Sequence, residues 1–212
     1  MIQYNTIQSF EEELLSQQVL MDVLKGYKRP HDKLTEMVKK KELIQLKRGY
    51  YIPGEKLKMI KPEPFLIANH LNGPSYISLE SALSYWGYIP ERVEETISIT
   101  VKKRAIYDTP IGRYSYYHSS VPYYAYGIQS ILLTEKQRVL IASPEKALCD
   151  KIIFTSGIQL RSTKNVRDFL EDNLRISSAS LNQLNHQEIT TWIAKAPKAT
   201  SLEMLVKTLQ QL

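Results

Sequence analysis

Arg29–Pro53 reads RPHDKLTEMVKKKELIQLKRGYYIP, and the change of rhythm inside it decides the fold. Pro30 suits the first position of a helix, where its missing N–H would have no partner anyway. Leu34, Met37 and Val38 recur at i, i+3 and i+4, which makes one apolar helix face. Thr35, Lys39 and Lys40 fall on other faces. After Leu43 the period becomes two. Ile44 and Leu46 alternate with Gln45 and Lys47, as in a strand. Lys47-Arg48-Gly49 is the tip of a hairpin, with Gly49 permitting the tight turn. Tyr50, Tyr51 and Ile52 return as the second strand before Pro53 ends it. A basic helix followed at once by a small basic hairpin predicts a winged helix-turn-helix. The helix would enter the major groove of DNA and the hairpin would flank it on the backbone.

Charge points the same way. The chain has 212 residues and a formal net charge of +6. Eleven Lys/Arg and four Asp/Glu stand between Lys25 and Lys58, so this segment carries +7 and the rest of the chain −1. Positive charge gathered in one segment is an electrostatic footprint for nucleic acid. Lysine runs also occur on ordinary solvated helix faces. The hairpin directly after this one favours DNA. The candidate DNA-binding residues are Lys28, Arg29, Lys33, Thr35, Lys39, Lys40, Lys47 and Arg48.

Apolar residues make up 43% of the chain, enough for a sizeable core. No apolar run is long enough to span a bilayer. The start, MIQYNTIQSFEEELL, is acidic early and lacks a basic-then-apolar leader. That start and the single cysteine, Cys149, lead us to expect a cytoplasmic protein. One cysteine and the scattered His31, His70, His118 and His186 cannot make a zinc site of familiar spacing, so no metal or cofactor is expected.

The expected fold class is α+β: an N-terminal winged helix-turn-helix over 1–57, then a mixed α+β domain with C-terminal helices over 62–212. Residues 7–25 read as one or two helices, with Ser9 as a cap and Glu11, Glu12 and Glu13 near the positive helix end. The stretch PGEKLKMIKPEP at 53–64 reads as a linker. A short helix follows over 65–71, then a turn at Asn72-Gly73-Pro74. A second helix is capped by Ser78 and stopped by Gly87, burying Leu79, Ala82, Leu83 and Trp86. From Glu95 to Ser143 the pattern is mostly strand. Ser143-Pro144-Glu145 is a strong helix start. The remainder reads as three short helices capped at Ser162 or Thr163, at Ser178 or Ser180, and at Ser201.

Catalytic patterns are scarce. There is no Gly-rich phosphate loop and no HExxH. Glu145-Lys146 and Asp150-Lys151 suggest a metal nuclease, which needs further carboxylates that no second motif supplies. Lys146 and Asp150 stand at i, i+4, where an ion pair is the simpler reading. Cys149 lies among Ala147, Leu148 and Ile152, as a core residue would. The tyrosines Tyr107, Tyr114, Tyr116, Tyr117, Tyr123, Tyr124 and Tyr126 can pair across strands or present polar tips to a partner. Lys102, Lys103 and Arg104 lie near them, and bases stack on aromatic rings.

Three motifs resemble the AbiEi-like family, the antitoxin and transcriptional-regulator components of AbiE-type, type IV toxin–antitoxin systems. LIQLKRGYYIP at 43–53 is similar to the family's strand–Arg-Gly–aromatic–strand–Pro hairpin. YISLESALSYWGYIPE at 76–91 is similar to its Tyr-x-Ser-x-x-Ser-Ala-Leu helix followed by Gly-x-x-Pro-Glu. IASPEKALCDKI at 141–152 resembles its Pro-Glu-Lys-Ala-Leu-x-Asp motif. The likeness covers about residues 14–155 and departs at Gly26–Arg29, which lacks the Ser or Thr that often opens the recognition helix. The resemblance implies a non-enzymatic DNA-binding regulator that represses its own operon. It also implies a C-terminal domain that opposes a nucleotidyltransferase-class toxin, in general without a stable complex. The alternative is an interaction protein whose C-terminal domain binds a toxin or RNA directly. In that case the basic N-terminal unit adds only non-specific affinity.

Overall fold

The computed structural model describes residues 7–211. Residues 1–6 and 212 belong to the expected units 1–57 and 62–212 and lie outside the described residues. The start of the stretch read as leaderless lies outside them too. The chain is mixed α+β, with a three-stranded and a six-stranded sheet.

Residues 9–12 form turns, not a helix opened by Ser9. Glu12 explains why. Its backbone is left-handed (φ 69). Its N–H goes to the Ile60 carbonyl at 3.1 Å, so tertiary partners replace helical ones. Strand β1 (Leu15–Ser16) follows, then helix α1 (Gln17–Val23) and helix α2 (Pro30–Lys39). Ser16 is the working cap of α1, accepting the Val19 N–H at 3.2 Å. Pro30 opens α2, as expected of a residue whose missing N–H has no partner at that position. Strands β2 (Leu43–Lys47) and β3 (Tyr50–Pro53) make the hairpin, and β1 pairs on the far side of β3, giving the order β1-β3-β2.

The hairpin serves two cores. Leu43 and Tyr51 pack with Leu15, Leu20, Leu24, Leu34 and Met37 into the small N-terminal cluster. Leu46 and Ile52 belong instead to the large cluster, with residues of the six-stranded sheet and its helices. The register slips between Gln45 and Lys47, so Leu46 occupies a bulge. A bulge bends its strand and re-aims a side chain. After β3 the chain passes Gly54, whose N–H reaches the Glu42 carbonyl at 2.8 Å. A Cβ at Gly54 would run into the Lys41 carbonyl, so only glycine fits this approach.

The connecting segment is pinned on both sides. The Ile60 N–H reaches the Glu11 carboxylate at 2.8 Å, and the Glu63 N–H reaches the Gln137 side chain at 2.7 Å. The chain continues with α3 (Pro64–Leu71), β4 (Ser75–Ile77) and α4 (Leu79–Tyr85). Strands β5 (Thr96–Thr100), β6 (Ala105–Thr109), β7 (Gly112–His118), β8 (Ile128–Leu132) and β9 (Arg138–Ala142) complete the sheet β6-β7-β5-β4-β9-β8. Pairs β5/β7 and β4/β9 are parallel and the others antiparallel. Strand β4 is only three residues long and wholly buried. The Asn69 side chain extends its ladder: its amide donates to the Ser75 and Leu140 carbonyls and accepts the Leu140 N–H.

Helix α5 (Pro144–Phe154) is capped by Ser143, which accepts the Lys146 N–H at 3.2 Å. Helix α6 (Thr163–Arg167), capped by Ser162, runs on as a π-helix through Asp168–Asn173. Helices α7 (Ser178–Leu181), α8 (His186–Trp192) and α9 (Ala199–Leu209) follow. The cap of α7 is Ser177, one residue before the expected pair. Ser201 lies inside α9 and caps nothing, because its hydroxyl accepts the Leu160 N–H at 3.1 Å. Leu83 and Leu148 are fully buried, as expected. Among the described residues no helix is long and apolar enough to cross a membrane.

Three of the seven clustered tyrosines, Tyr114, Tyr116 and Tyr123, are buried and the other four are half-buried; Tyr76 of β4 is buried as well. Tyr107 faces Tyr114 across the β6/β7 pair and meets Tyr116 edge-on at 5.8 Å. Burial pushes the Tyr114 phenol up to about 12. Cross-strand packing therefore accounts for Tyr107, Tyr114 and Tyr116.

Candidate nucleic-acid interface

Helix α2 is held by Leu34 and Met37, so its opposite face is turned to solvent. His31, Thr35 and Lys39 stand at i, i+4 and i+8 on that face and are all exposed. They line a groove of about 330 Å³ together with Leu34, Val38, Gln17, Gln45, Arg48 and Tyr51. Its three walls are the start of α1, the length of α2 and the hairpin. Pairing of β1 with β3 sets this geometry, because it carries the first turn of α1 to the hairpin tip. There the Gln17 N–H donates to the Gly49 carbonyl at 2.8 Å. Gly49 turns with φ +86, a conformation that suits glycine.

The groove offers both kinds of hydrogen-bonding group. The Thr35 hydroxyl donates to the His31 carbonyl at 3.0 Å, leaving its lone pairs facing out as acceptors. The Gln45 amide donates to the Tyr51 hydroxyl at 3.3 Å. Lys39 and Arg48 take part in no ion pair among the described residues. Two unpaired cations lining one groove suit a phosphate backbone, and the amide, imidazole and hydroxyl suit base edges.

The structure thus brings together Thr35, Lys39 and Arg48 of the sequence-predicted set. Others are placed differently. Lys33 and Lys40 both grip Glu36, and Lys33 also stands 5.4 Å over the Tyr27 ring. Hydrogen bonds from Lys40 and then Lys33 hold the Glu36 carboxyl below its usual range. Arg29 meets Asp32 at 3.6 Å just before α2, and Lys28 is exposed in the preceding loop. Lys47 departs most from expectation. Its ammonium turns away from the hairpin tip, donates to the Leu71 carbonyl and lies 4.8 Å over both Tyr50 and Tyr107. Burial, and then the nearby Lys102 charge, lower its pKa. It docks the hairpin on β6 and the end of α3.

Sequence reasoning missed Gln17, His31 and Gln45. The i, i+4, i+8 stripe was a legible signal for His31. Gln45 was visible only as a polar strand residue. Gln17 is brought to the groove by a two-residue strand that no periodicity reveals.

The other polar constellation is sealed. Lys146 and Asp150 pair at 3.1 Å with both side chains at 0% exposure. Asp150 also accepts from Tyr76 (3.0 Å), Ser78 (2.7 Å) and Tyr123 (2.9 Å). This is why Ser78 does not cap α4 with its hydroxyl. Lys146 donates to the Tyr123 carbonyl at 3.1 Å and lies 3.2 Å from the centre of its ring. Burial first, then the Asp150 charge, push the Tyr76 and Tyr123 phenols well up, while burial lowers Lys146. The pair is a buried hub joining β4, α5 and the turn at 123–125. Among the described residues no group of three or more His, Cys, Asp or Glu is placed to hold a metal ion. Burial pushes the Cys149 thiol up to about 12, which makes it inert.

No protein-family model matches the chain, and no curated protein is a significant match to it.

Proposed function

We propose that residues 7–57 act as a winged helix-turn-helix that binds duplex DNA, and that the chain is a transcriptional regulator with antitoxin function. The observation that carries the DNA reading is the groove in which Thr35, Lys39 and Arg48 meet His31, Gln17 and Gln45 between α2 and the hairpin. The element order supports it: strand, helix, helix, hairpin, with the first strand paired outside the hairpin. Helix α2 presents His31 and Thr35 to bases, while Lys39 and Arg48 hold phosphates or the minor groove beside it.

The regulator and antitoxin roles rest on the three motifs. The structure adds a reason for the third motif's residue types. Pro144 opens α5, Glu145 accepts the Asn185 N–H at 2.9 Å, and Lys146 with Asp150 forms the buried hub. The proposed target is the upstream region of the chain's own operon, and the proposed functional partner is a nucleotidyltransferase-class toxin. The test is co-expression with an adjacent nucleotidyltransferase reading frame. Growth is restored by the full chain if the antitoxin reading holds. Continued arrest with a well-folded chain defeats it, independently of DNA binding.

A further inference from the structure

A second cleft, of about 520 Å³, opens beside the first at the junction of the two units. Its walls are Val38 and Lys41 at the end of α2, Leu43, Ile44 and Gln45 of β2, Glu55 and Lys61 of the connecting segment, and the β6–β7 turn at Pro110 and Ile111. Five of these side chains are apolar. The others ring them with two cations, one carboxylate and one amide. Lys41, Lys61 and Glu55 take part in no ion pair among the described residues. The walls are firm. Lys41 is left-handed (φ 57) and is held where its carbonyl meets Gly54. In the β6–β7 turn the Thr109 hydroxyl donates to the Gly112 carbonyl at 2.7 Å and accepts the Ile111 N–H at 3.3 Å.

We infer that this cleft binds a small amphipathic anion: a flat or branched apolar body carrying one carboxylate or sulfonate. Its volume is that of a ligand pocket, and its apolar floor with a few convergent polar groups is the usual make-up of one. Two unpaired ammoniums against one carboxylate set the sign of the ligand's charge. The body lies on Ile44, Pro110 and Ile111, and the anion sits between Lys41 and Lys61.

The cleft also shares Val38 and Gln45 with the groove of α2 and the hairpin. A ligand here touches residues that face DNA and the turn of the second unit at once. It therefore changes affinity for DNA, and by linkage DNA changes affinity for it. This coupling rests on the DNA reading; the binding itself does not.

The test uses the full chain with 8-anilinonaphthalene-1-sulfonate and its uncharged counterpart N-phenyl-1-naphthylamine, by calorimetry and fluorescence. Saturable one-to-one binding of the sulfonate is expected. Replacing both Lys41→Gln and Lys61→Gln weakens the sulfonate about tenfold, the worth of one charge-assisted hydrogen bond. The same change leaves the neutral probe unaffected. Ile111→Asp, at a half-buried turn position, weakens both, with a thermal melt confirming that the variant folds. Absence of saturable binding to the wild type overturns the site, as does equal sulfonate affinity in the double lysine variant. A sulfonate concentration that just saturates the wild type alters its affinity for the upstream duplex, and alters that of the double variant less; an unchanged wild-type duplex affinity overturns the coupling. Failure of the DNA reading shows separately, as no duplex binding without the probe while probe binding persists.

Discussion

The Lys47 ammonium, at the end of β2, stands 4.8 Å over the ring of Tyr107 in β6. It also donates to the carbonyl of Leu71 at the end of α3. One cation thus ties the hairpin to the sheet and to a helix end, where positive charge is favoured. Lys47→Ala is expected to cost about 1–3 kcal/mol of stability from the lost cation–π and hydrogen-bond contacts. It leaves the salt dependence of DNA binding unchanged. Arg48→Ala does the reverse, with stability within about 0.5 kcal/mol of wild type. Denaturant titration and duplex binding on the same two variants separate the roles. A lower salt slope for Lys47→Ala would return it to the DNA face.

A second tie is a carboxylate clasp. Glu12 accepts from the Gln137 amide at 2.8 Å and the Thr134 hydroxyl at 2.7 Å. Those hydrogen bonds, Gln137 first, lower its pKa. A carboxylate lowered on folding stabilises the folded state above its unfolded pKa, about 4.3, and loses that contribution as pH falls through the folded value. Glu12→Gln should therefore be less stable than wild type at neutral pH, with the gap closing below about pH 4. Thermal melts of both chains from pH 7 to pH 3 check this. A gap constant with pH would mean the clasp does not depend on charge.

The hub around Asp150 makes a sharper demand. Asp150→Ala leaves the Lys146 ammonium buried without its partner, and should cost about 3–5 kcal/mol. Changing Lys146→Met in the same chain removes the stranded charge and should recover part of that loss. A double variant as unstable as the sum of the singles would show that the pair is not coupled.

The legibility of the chain follows physical lines. Helix α2 and its hairpin were readable because amphipathic period and turn chemistry act over a few residues. Ser143 and Ser162 were readable as caps for the same reason. Ser9, Ser78 and Ser201 misled because tertiary partners claim the position or the hydroxyl: Ile60 and the Gln137 side chain hold Glu12, Asp150 takes Ser78, and Leu160 takes Ser201. Strand β4 was hidden by its length, since three buried residues carry no alternation. At the interface Thr35, Lys39 and Arg48 were visible as exposed polar residues of a basic helix and hairpin. The diversion of Lys47 was not, because Tyr107 and Leu71 lie in elements distant in sequence.

The most direct test of the central claim is binding to the upstream duplex and to a scrambled duplex, by fluorescence anisotropy across a salt series. Wild type is compared with Thr35→Ala, Lys39→Ala and Arg48→Ala, singly and together. Lysine on phosphate reads no sequence, so Lys39→Ala should weaken both duplexes alike and lower the salt slope by about one unit. Arg48→Ala should do likewise if it meets phosphate, and should lose more on the upstream duplex if its fork enters the minor groove. Thr35→Ala should cost affinity on the upstream duplex alone. The account predicts that the triple variant loses preference for the upstream duplex and at least about two units of salt slope. A triple variant with wild-type affinity, preference and slope would contradict it.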